Sequence, residues 1–167
     1  MSNSRHRIKK IVTGGQTGVD RGALDAAIVL GIDHGGWCPK GRLAEDGPIA
    51  DRYQLQELAS SDYVDRTERN VIDSDGTLIL YRERMQGGTA LTNRLAKAYG
   101  KPLLRVRLDR PAEFDKIVRW IAEERIEILN IAGPRGSSHP DLERQTREFV
   151  QKLFTCAGHL PYGDSVG

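Results

Sequence analysis

The chain has 167 residues, with 25 Lys and Arg against 23 Asp and Glu, for a formal net charge of +2. This length suits a single domain (residues 1–167) with a sizeable core at about 8–154 and a tail at 155–167. The balanced charge gives no electrostatic reason to expect a nucleic acid or a membrane surface as partner.

The two cysteines, Cys38 and Cys156, are far apart in the sequence. Two such residues do not form a disulfide framework, and the polar first residues lack the apolar segment of a signal peptide. No apolar run approaches the length that spans a membrane. We therefore expect a reduced, cytoplasmic protein, in which Cys38 packs as a small apolar residue.

A glycine-rich turn follows the first predicted strand, which contains Ile8, Ile11 and Val12. Good helix formers follow the turn from Ala23. A glycine loop at a helix N-terminus presents backbone N–H groups to an anion such as phosphate. The alternative is a tight turn without a ligand. The predicted anion-binding residues of this loop are Gly14, Gly15, Gln16, Thr17 and Gly18.

A second strand is predicted at residues 32–37, after a helix stop at Gly31. Residues 36–49 form a long loop, and such loops inside compact domains are often functional. Lys40 and Arg42 have the charge to reach an anion there, and Glu45 or Asp46 can accept from a hydroxyl or an amine. The alternative is an ordered surface loop held by a buried Trp37.

The middle of the chain repeats the same arrangement of strand, glycines and helix. Residues 53–60 are weakly helical, residues 65–71 favour a short helix, and residues 77–81 form a buried strand. Gly87, Gly88 and Thr89 then begin a helix that ends near Gly100. These three residues are a second predicted anion site, and the alternative is only a Thr-capped helix start.

A third such unit lies near the C-terminus. A strand at 103–108 is followed by a helix predicted to begin at 109–111 with Pro111 in its first turn. A last strand at 126–132 leads into a glycine loop at 133–140. Arg135 can clamp a phosphate in this loop, and Ser137 can bind the same anion or cap the next helix.

Alternation of strands and helices predicts a three-layer, Rossmann-like, doubly wound α/β fold with about five mostly parallel strands. The three glycine loops then converge at the carboxyl edge of the sheet, where ligands bind. Cys38 and His34 are too few ligands for a closed zinc site, and no nucleophile elbow is present. The sequence therefore predicts no catalytic residue and no metal site.

Several segments together resemble the putative molybdenum-cofactor carrier proteins, over residues 8–154. They are Thr13 to Arg21, Gly35 to Arg42, Ala44 to Gly47, Arg66-Thr67, Asn70-Val71, Asp73 to Thr77, Gly87 to Thr89 and Ala132 to Arg135. The resemblance implies a Rossmann-like fold related to the lysine-decarboxylase-like proteins. It also implies a dimer or tetramer that binds and protects the molybdenum cofactor, with molybdoenzymes as partners.

This cofactor is a pterin with a phosphate-bearing side chain and a dithiolene-bound metal. The resemblance favours a carrier over an enzyme. We expect the N–H groups of Gly14 to Gly18 and of Gly87 to Thr89 to hold its anionic oxygens. Arg135, Lys40 and Arg42 would add positive charge, and the Thr17 and Thr89 hydroxyl groups would add hydrogen bonds.

Two alternatives bind a nucleotide instead. One is an enzyme like the related phosphoribohydrolases, which release a base from a nucleoside monophosphate. In those enzymes a glutamate follows the glycine loop by a few residues, whereas Thr92 and Arg94 stand near that position here. Hydrolysis would therefore need Glu45, Asp46 or Asp75 as the carboxylate instead. The other alternative is a module that senses a nucleotide or an ADP-ribose-like ligand and signals through partners.

Overall fold

The computed structural model describes residues 7–157. Its strands are β1 (Lys10–Val12), β2 (Asp33–Gly35), β3 (Trp37–Cys38), β4 (Leu43–Ala44), β5 (Gly47–Pro48), β6 (Gln56–Glu57), β7 (Gly76–Tyr81), β8 (Leu103–Arg107) and β9 (Ile128–Ala132). Its helices are α1 (Val19–Leu30), α2 (Tyr63–Ile72), α3 (Gly87–Ala98), α4 (Phe114–Glu123) and α5 (Leu142–Cys156), with a 3-10 turn at Gly136–Ser138.

A parallel five-stranded sheet forms the centre, in the order β2-β1-β9-β7-β8. Helix α5 packs between α1 and α4, while α2 packs against α3. This is the three-layer Rossmann-like α/β fold that the sequence predicts. Strand β7 is buried over almost its whole length, because a central parallel strand is covered by helices on both faces.

Glycine ends two helices as predicted. Gly31 follows α1 in the left-handed conformation, with φ 67°, and its N–H donates to the carbonyl groups of Ala27 and Ile28. Gly100 follows α3 with φ 64°. Side chains rarely adopt this conformation, so glycine terminates a helix at low cost.

A smaller hydrophobic cluster lies beside the main core. It contains Leu24 of α1 and four residues from the segment after β2: Cys38, Ala44, Ile49 and Tyr53. The Cys38 thiol is fully buried in this cluster, and burial raises its pKa. Cys38 thus packs as a small apolar side chain, as the sequence analysis favours.

The helix predicted at residues 53–60 is wrong. The N–H groups of Gln56 and Leu58 donate to the carbonyl groups of Gly36 and Cys38, both at 2.9 Å, so β6 pairs with β3. Buried Tyr53 fixes the entry to this segment, because its hydroxyl donates to Asp25 at 2.6 Å. Tertiary contacts therefore override a weak helix preference.

Two predicted boundaries are also wrong. The strand predicted at 32–37 is divided at Gly36, where φ is 123° and a Cβ atom would lie 2.0 Å from the Thr13 carbonyl oxygen. The helix predicted from 109–111 begins only at Phe114. The Asp109 carboxylate accepts from the Arg107 side chain and from the Glu83 N–H, which holds the chain in a turn before α4.

Helix α5 extends through Cys156, beyond the predicted start of the tail at 155. The rest of the predicted tail and the polar start of the chain lie outside the described residues. Within residues 7–157, no helix is both long and apolar enough to cross a membrane.

Candidate functional site

The loops that follow β1, β7 and β9 meet at a cavity of about 680 Å³. They meet because β9 lies between β1 and β7 in the sheet, which brings the three carboxyl ends together. Pockets for small ligands fall in the range of about 300–1,000 Å³. The predicted site residues that line the cavity are Gly14, Gln16, Gly87, Gly88, Thr89 and Arg135; Gly15, Thr17, Gly18, Lys40, Arg42 and Ser137 do not line it.

Three backbone N–H groups of the first glycine loop have internal acceptors. The N–H of Gly15 donates to the Thr13 hydroxyl at 3.1 Å, and that of Gln16 donates to the Asp20 carboxylate at 3.2 Å. The N–H of Thr17 donates to the side-chain oxygen of Gln16 at 3.0 Å. This loop therefore does not present an open set of N–H groups to an incoming phosphate.

Gly18 brings the first loop against the loop that follows β9. Its φ is 81°, and a Cβ atom there would lie 2.5 Å from the carbonyl oxygen of Pro134. The next N–H, of Val19, donates to the same oxygen at 3.2 Å. Glycine is required here for close contact between two loops.

Lys40 and Arg42 lie away from the cavity. The Arg42 guanidinium donates to four backbone carbonyl groups, of Tyr53 at 2.8 Å, Ala50 at 3.0 Å, Leu55 at 3.2 Å and Ile49 at 3.4 Å. These bonds hold residues 49–55 around the second cluster. Lys40 is exposed, and its N–H donates to the carbonyl of Ser60 at 2.9 Å.

Thr17, Ser137 and Arg135 surround the carboxylate of Glu45, in the turn between β4 and β5. It accepts from the Thr17 hydroxyl, from the Ser137 N–H at 3.0 Å and from the Ser137 hydroxyl at 2.7 Å. Arg135 Nε lies 3.7 Å from Glu45 Oε2. Burial opposes ionisation of Glu45, but these hydrogen bonds outweigh burial and lower its pKa.

The N-terminus of α3 opens into the cavity without a cap. Gln86 precedes the helix and makes no side-chain cap, and its carbonyl accepts from the N–H groups of Thr89 and Ala90 at 3.1 and 3.3 Å. Among residues 7–157, no acceptor is found for the N–H groups of Gly87 and Gly88. A Cβ atom at Gly88 would meet no protein atom within 4 Å, so packing does not explain the missing side chain.

Four arginines line the cavity: Arg66, Arg82, Arg84 and Arg135. Arg66 donates to the Gly14 carbonyl at 2.9 Å, and Arg82 donates to Gln145 Oε1 from Nε at 2.9 Å. Arg84 and Arg135 are exposed. Arg82 and Arg84 are not among the residues predicted from the sequence, although both stand between a buried strand and a glycine pair, where a phosphate-binding cation is expected.

A buried carboxylate, that of Asp20, also lines the cavity. Asp20 lies in the first turn of α1 and is 8% exposed. Burial raises its pKa to about 6, against the opposing effect of the nearby Arg66 and of loop N–H groups. Asp20 is not among the site residues predicted from the sequence. Its position in the sequence, two residues after the last glycine of the loop, could have indicated that it lies at the site.

The part of the chain from 7 to 157 contains no group of three or more His, Cys, Asp or Glu side chains placed to hold a metal ion. The groups present suit a different ligand. The N–H groups at the start of α3 and the arginines that line the cavity can bind an anion, and the Asp20 carboxylate can accept hydrogen bonds.

Comparisons with known proteins agree with this architecture. The sequence profile of the circularly permutated YpsA SLOG family matches residues 11–154. A similar solved structure is the crystal structure of a putative molybdenum carrier protein from Syntrophus aciditrophicus SB, with 49% sequence identity and a TM-score of 0.83. The match covers 88% of this chain and 94% of that chain. No curated protein gives a significant match.

These similarities span nearly the whole described chain and confirm the resemblance seen in the sequence. The chain therefore belongs to the circularly permutated YpsA SLOG family.

Proposed function

We propose that this protein binds the molybdenum cofactor as cargo and holds its phosphate group at the N-terminus of α3. The observation that supports this most strongly is the pair of N–H groups at Gly87 and Gly88, two residues that line the cavity; neither N–H group has an acceptor in the described chain. The solved relative is named a putative molybdenum carrier protein, and this chain shares its fold.

The chemistry at this end of the cavity suits a phosphate. The first N–H groups of a helix lack intrahelical partners, and the helix dipole adds partial positive charge there. Arg84 and Arg135 add planar, positively charged donor groups that match phosphate oxygens, although the charge of Arg135 is partly balanced by Glu45. The first glycine loop contributes less, because its N–H groups already bind Thr13, Asp20 and Gln16.

A carrier needs to bind its cargo without consuming it. We infer that the cavity walls shield the pterin while the loops provide reversible polar contacts. The family resemblance adds two further parts to this proposal: association of the chain with itself as a dimer or tetramer, and transfer of the cargo to molybdoenzymes.

Calorimetric titration with the isolated cofactor, under anaerobic conditions, tests this function. We expect Arg84→Ala to weaken binding by about tenfold or more, because a charge-assisted hydrogen bond is lost. Arg119→Ala is the matched control, since Arg119 is an exposed arginine on α4 that does not line the cavity. Equal affinity in the wild type and Arg84→Ala would show that the phosphate does not bind at this end of the cavity.

Native mass spectrometry of the same samples gives the number of subunits and the bound mass together. A mass increase equal to the cofactor supports the carrier function. An increase only with nucleotides would overturn it.

Nucleotide hydrolysis is the second candidate, because Asp20 supplies the cavity with a carboxylate that the segment after Gly88 lacks. Incubation with nucleoside monophosphates tests this alternative. Release of free base, lost in Asp20→Asn, would favour an enzyme over a carrier.

A further inference from the structure

On the basis of the proposed function, we infer that Asp20 recognises the pterin ring of the cargo. Its carboxylate would accept hydrogen bonds from the adjacent N3–H and 2-amino groups of a 2-amino-4-oxopyrimidine edge. The phosphate site at α3 leaves this opposite end of the ligand without a partner.

The Arg66 guanidinium lies near the Asp20 carboxylate but makes no hydrogen bond to it. The Gln16 N–H donates to its Oδ2 at 3.2 Å, and no side chain among residues 7–157 donates a hydrogen bond to the carboxylate. Arg66 donates instead to the Gly14 carbonyl, and Arg21 donates to Asp46. A buried carboxylate without a hydrogen-bonded cation is costly for folding, which points to a use in ligand binding.

A second acceptor lines the middle of the cavity, on β9. Asn130 is 3% exposed and pairs in the sheet with Val12 of β1 on one side and with Thr77 of β7 on the other. Its Nδ2 donates to the Thr77 hydroxyl at 3.2 Å, which leaves its Oδ1 as an acceptor. The cavity therefore offers acceptor oxygens at Asp20 and Asn130, and N–H donors without an acceptor at the start of α3.

The two ends are separated by a distance that suits an elongated ligand. Strands β1 and β7 are two positions apart in the sheet, or about 10 Å at the usual strand spacing. A ligand with two N–H donors at one end and an anion at the other matches this polarity. A bicyclic pterin with a phosphorylated side chain has this arrangement.

Carboxylate recognition also predicts which rings are rejected. An ionised carboxylate accepts two parallel hydrogen bonds and donates none. A pterin presents two adjacent donors, whereas a lumazine carries a carbonyl oxygen in place of the 2-amino group. That oxygen would face the carboxylate and leave one carboxylate oxygen without a donor, which costs binding.

Calorimetry with two matched probes tests Asp20 directly. The probes are 6-hydroxymethylpterin phosphate and 6-hydroxymethyllumazine phosphate, which differ at ring position 2 and share the phosphate. We expect the wild type to prefer the pterin by about tenfold or more. Asp20→Asn should reduce this preference to about twofold or less, and Glu83→Gln, at another carboxylate that lines the cavity, should retain it.

Three results would overturn this assignment. They are an equal affinity of the wild type for both probes, an unchanged preference in Asp20→Asn, and no binding of the pterin at about millimolar concentration. The first two results bear on Asp20 whether or not the phosphate binds at α3. Arg84→Ala should weaken the binding of both probes and keep the ratio of their affinities. An unchanged affinity in Arg84→Ala would therefore contradict the proposed phosphate site without bearing on Asp20.

Discussion

Glu45 accepts two hydrogen bonds from Ser137, from its N–H at 3.0 Å and from its hydroxyl at 2.7 Å. The Thr17 hydroxyl donates to the same carboxylate. Thr17 and Ser137 have side chains that could bind the anion of a ligand, but in this structure they bind a carboxylate of the chain itself. These hydrogen bonds connect the turn between β4 and β5 to two of the three loops around the cavity.

Loss of the Glu45 charge should loosen this connection. We expect Glu45→Gln to lower the free energy of unfolding by about 1–2 kcal/mol at neutral pH, because two hydroxyl groups lose a charged acceptor. Urea denaturation monitored by circular dichroism measures the change. Glu148→Gln, on the exposed surface of α5, is the control and should change stability little.

The effect at Glu45 should depend on pH in a defined direction. Because the folded pKa of Glu45 is lowered, its stabilising contribution is present above the ordinary glutamate pKa of 4.5 and is lost as pH falls through the folded pKa. The difference between the wild type and Glu45→Gln should therefore shrink in acid. A difference that grows in acid would contradict this assignment.

Asp20 should have the opposite effect on stability. Its folded pKa is raised from 3.8 to about 6, so protonation favours the folded state. This favourable contribution is fully present below pH 3.8 and is lost as pH rises through about 6. We expect Asp20→Asn to raise the free energy of unfolding by about 1–3 kcal/mol above pH 7.

The same denaturation experiment at several pH values checks the Asp20 effect. The gain in Asp20→Asn should decrease steadily from pH 7.5 to acid pH. A variant that is less stable than the wild type at pH 7.5 would show that the hydrogen bond from Gln16 outweighs the cost of burial.

Hydrophobic patterning was sufficient to predict the central sheet and the five described helices approximately. Strand β7 and helix α3 are correct to within two residues, because a buried run and a glycine stop are local features. The segment at 53–60 was wrong because Tyr53 is fixed by Asp25, a residue 28 positions away. No local pattern contains that contact.

The same limit applies to the candidate site. The sequence identified the three loops, but not which N–H groups in them have internal acceptors. Arg42 illustrates this limit, since its charge suggested a ligand while its guanidinium binds carbonyl groups of residues 49–55. Partners of a long side chain depend on the folded chain as a whole.

Arg42 should therefore contribute to stability and little to ligand affinity. Arg42→Lys keeps the charge but cannot reach several carbonyl groups at once, and we expect a loss of about 1–3 kcal/mol in unfolding free energy. Thermal denaturation and calorimetry on the same sample separate the two effects. Arg119→Lys is the control, and a selective loss of cofactor affinity in Arg42→Lys would contradict a structural role.

Gly88 should contribute to ligand affinity and little to stability. A Cβ atom fits there without contacting the protein, and alanine favours a helix over glycine by up to about 1 kcal/mol. Gly88→Ala should therefore fold with equal or higher stability. We expect it to bind the cofactor more weakly, because the methyl group enters space beside the free N–H groups; unchanged affinity would show that the ligand does not approach Gly88.

A crystal structure of the protein with the molybdenum cofactor bound tests the proposed site most directly. We expect the phosphate within hydrogen-bonding distance of the Gly87 and Gly88 N–H groups, and Arg84 or Arg135 in contact with its oxygens. A phosphate bound at the loop of Gly14 to Gly18, or a cofactor outside this cavity, would contradict the site proposed here.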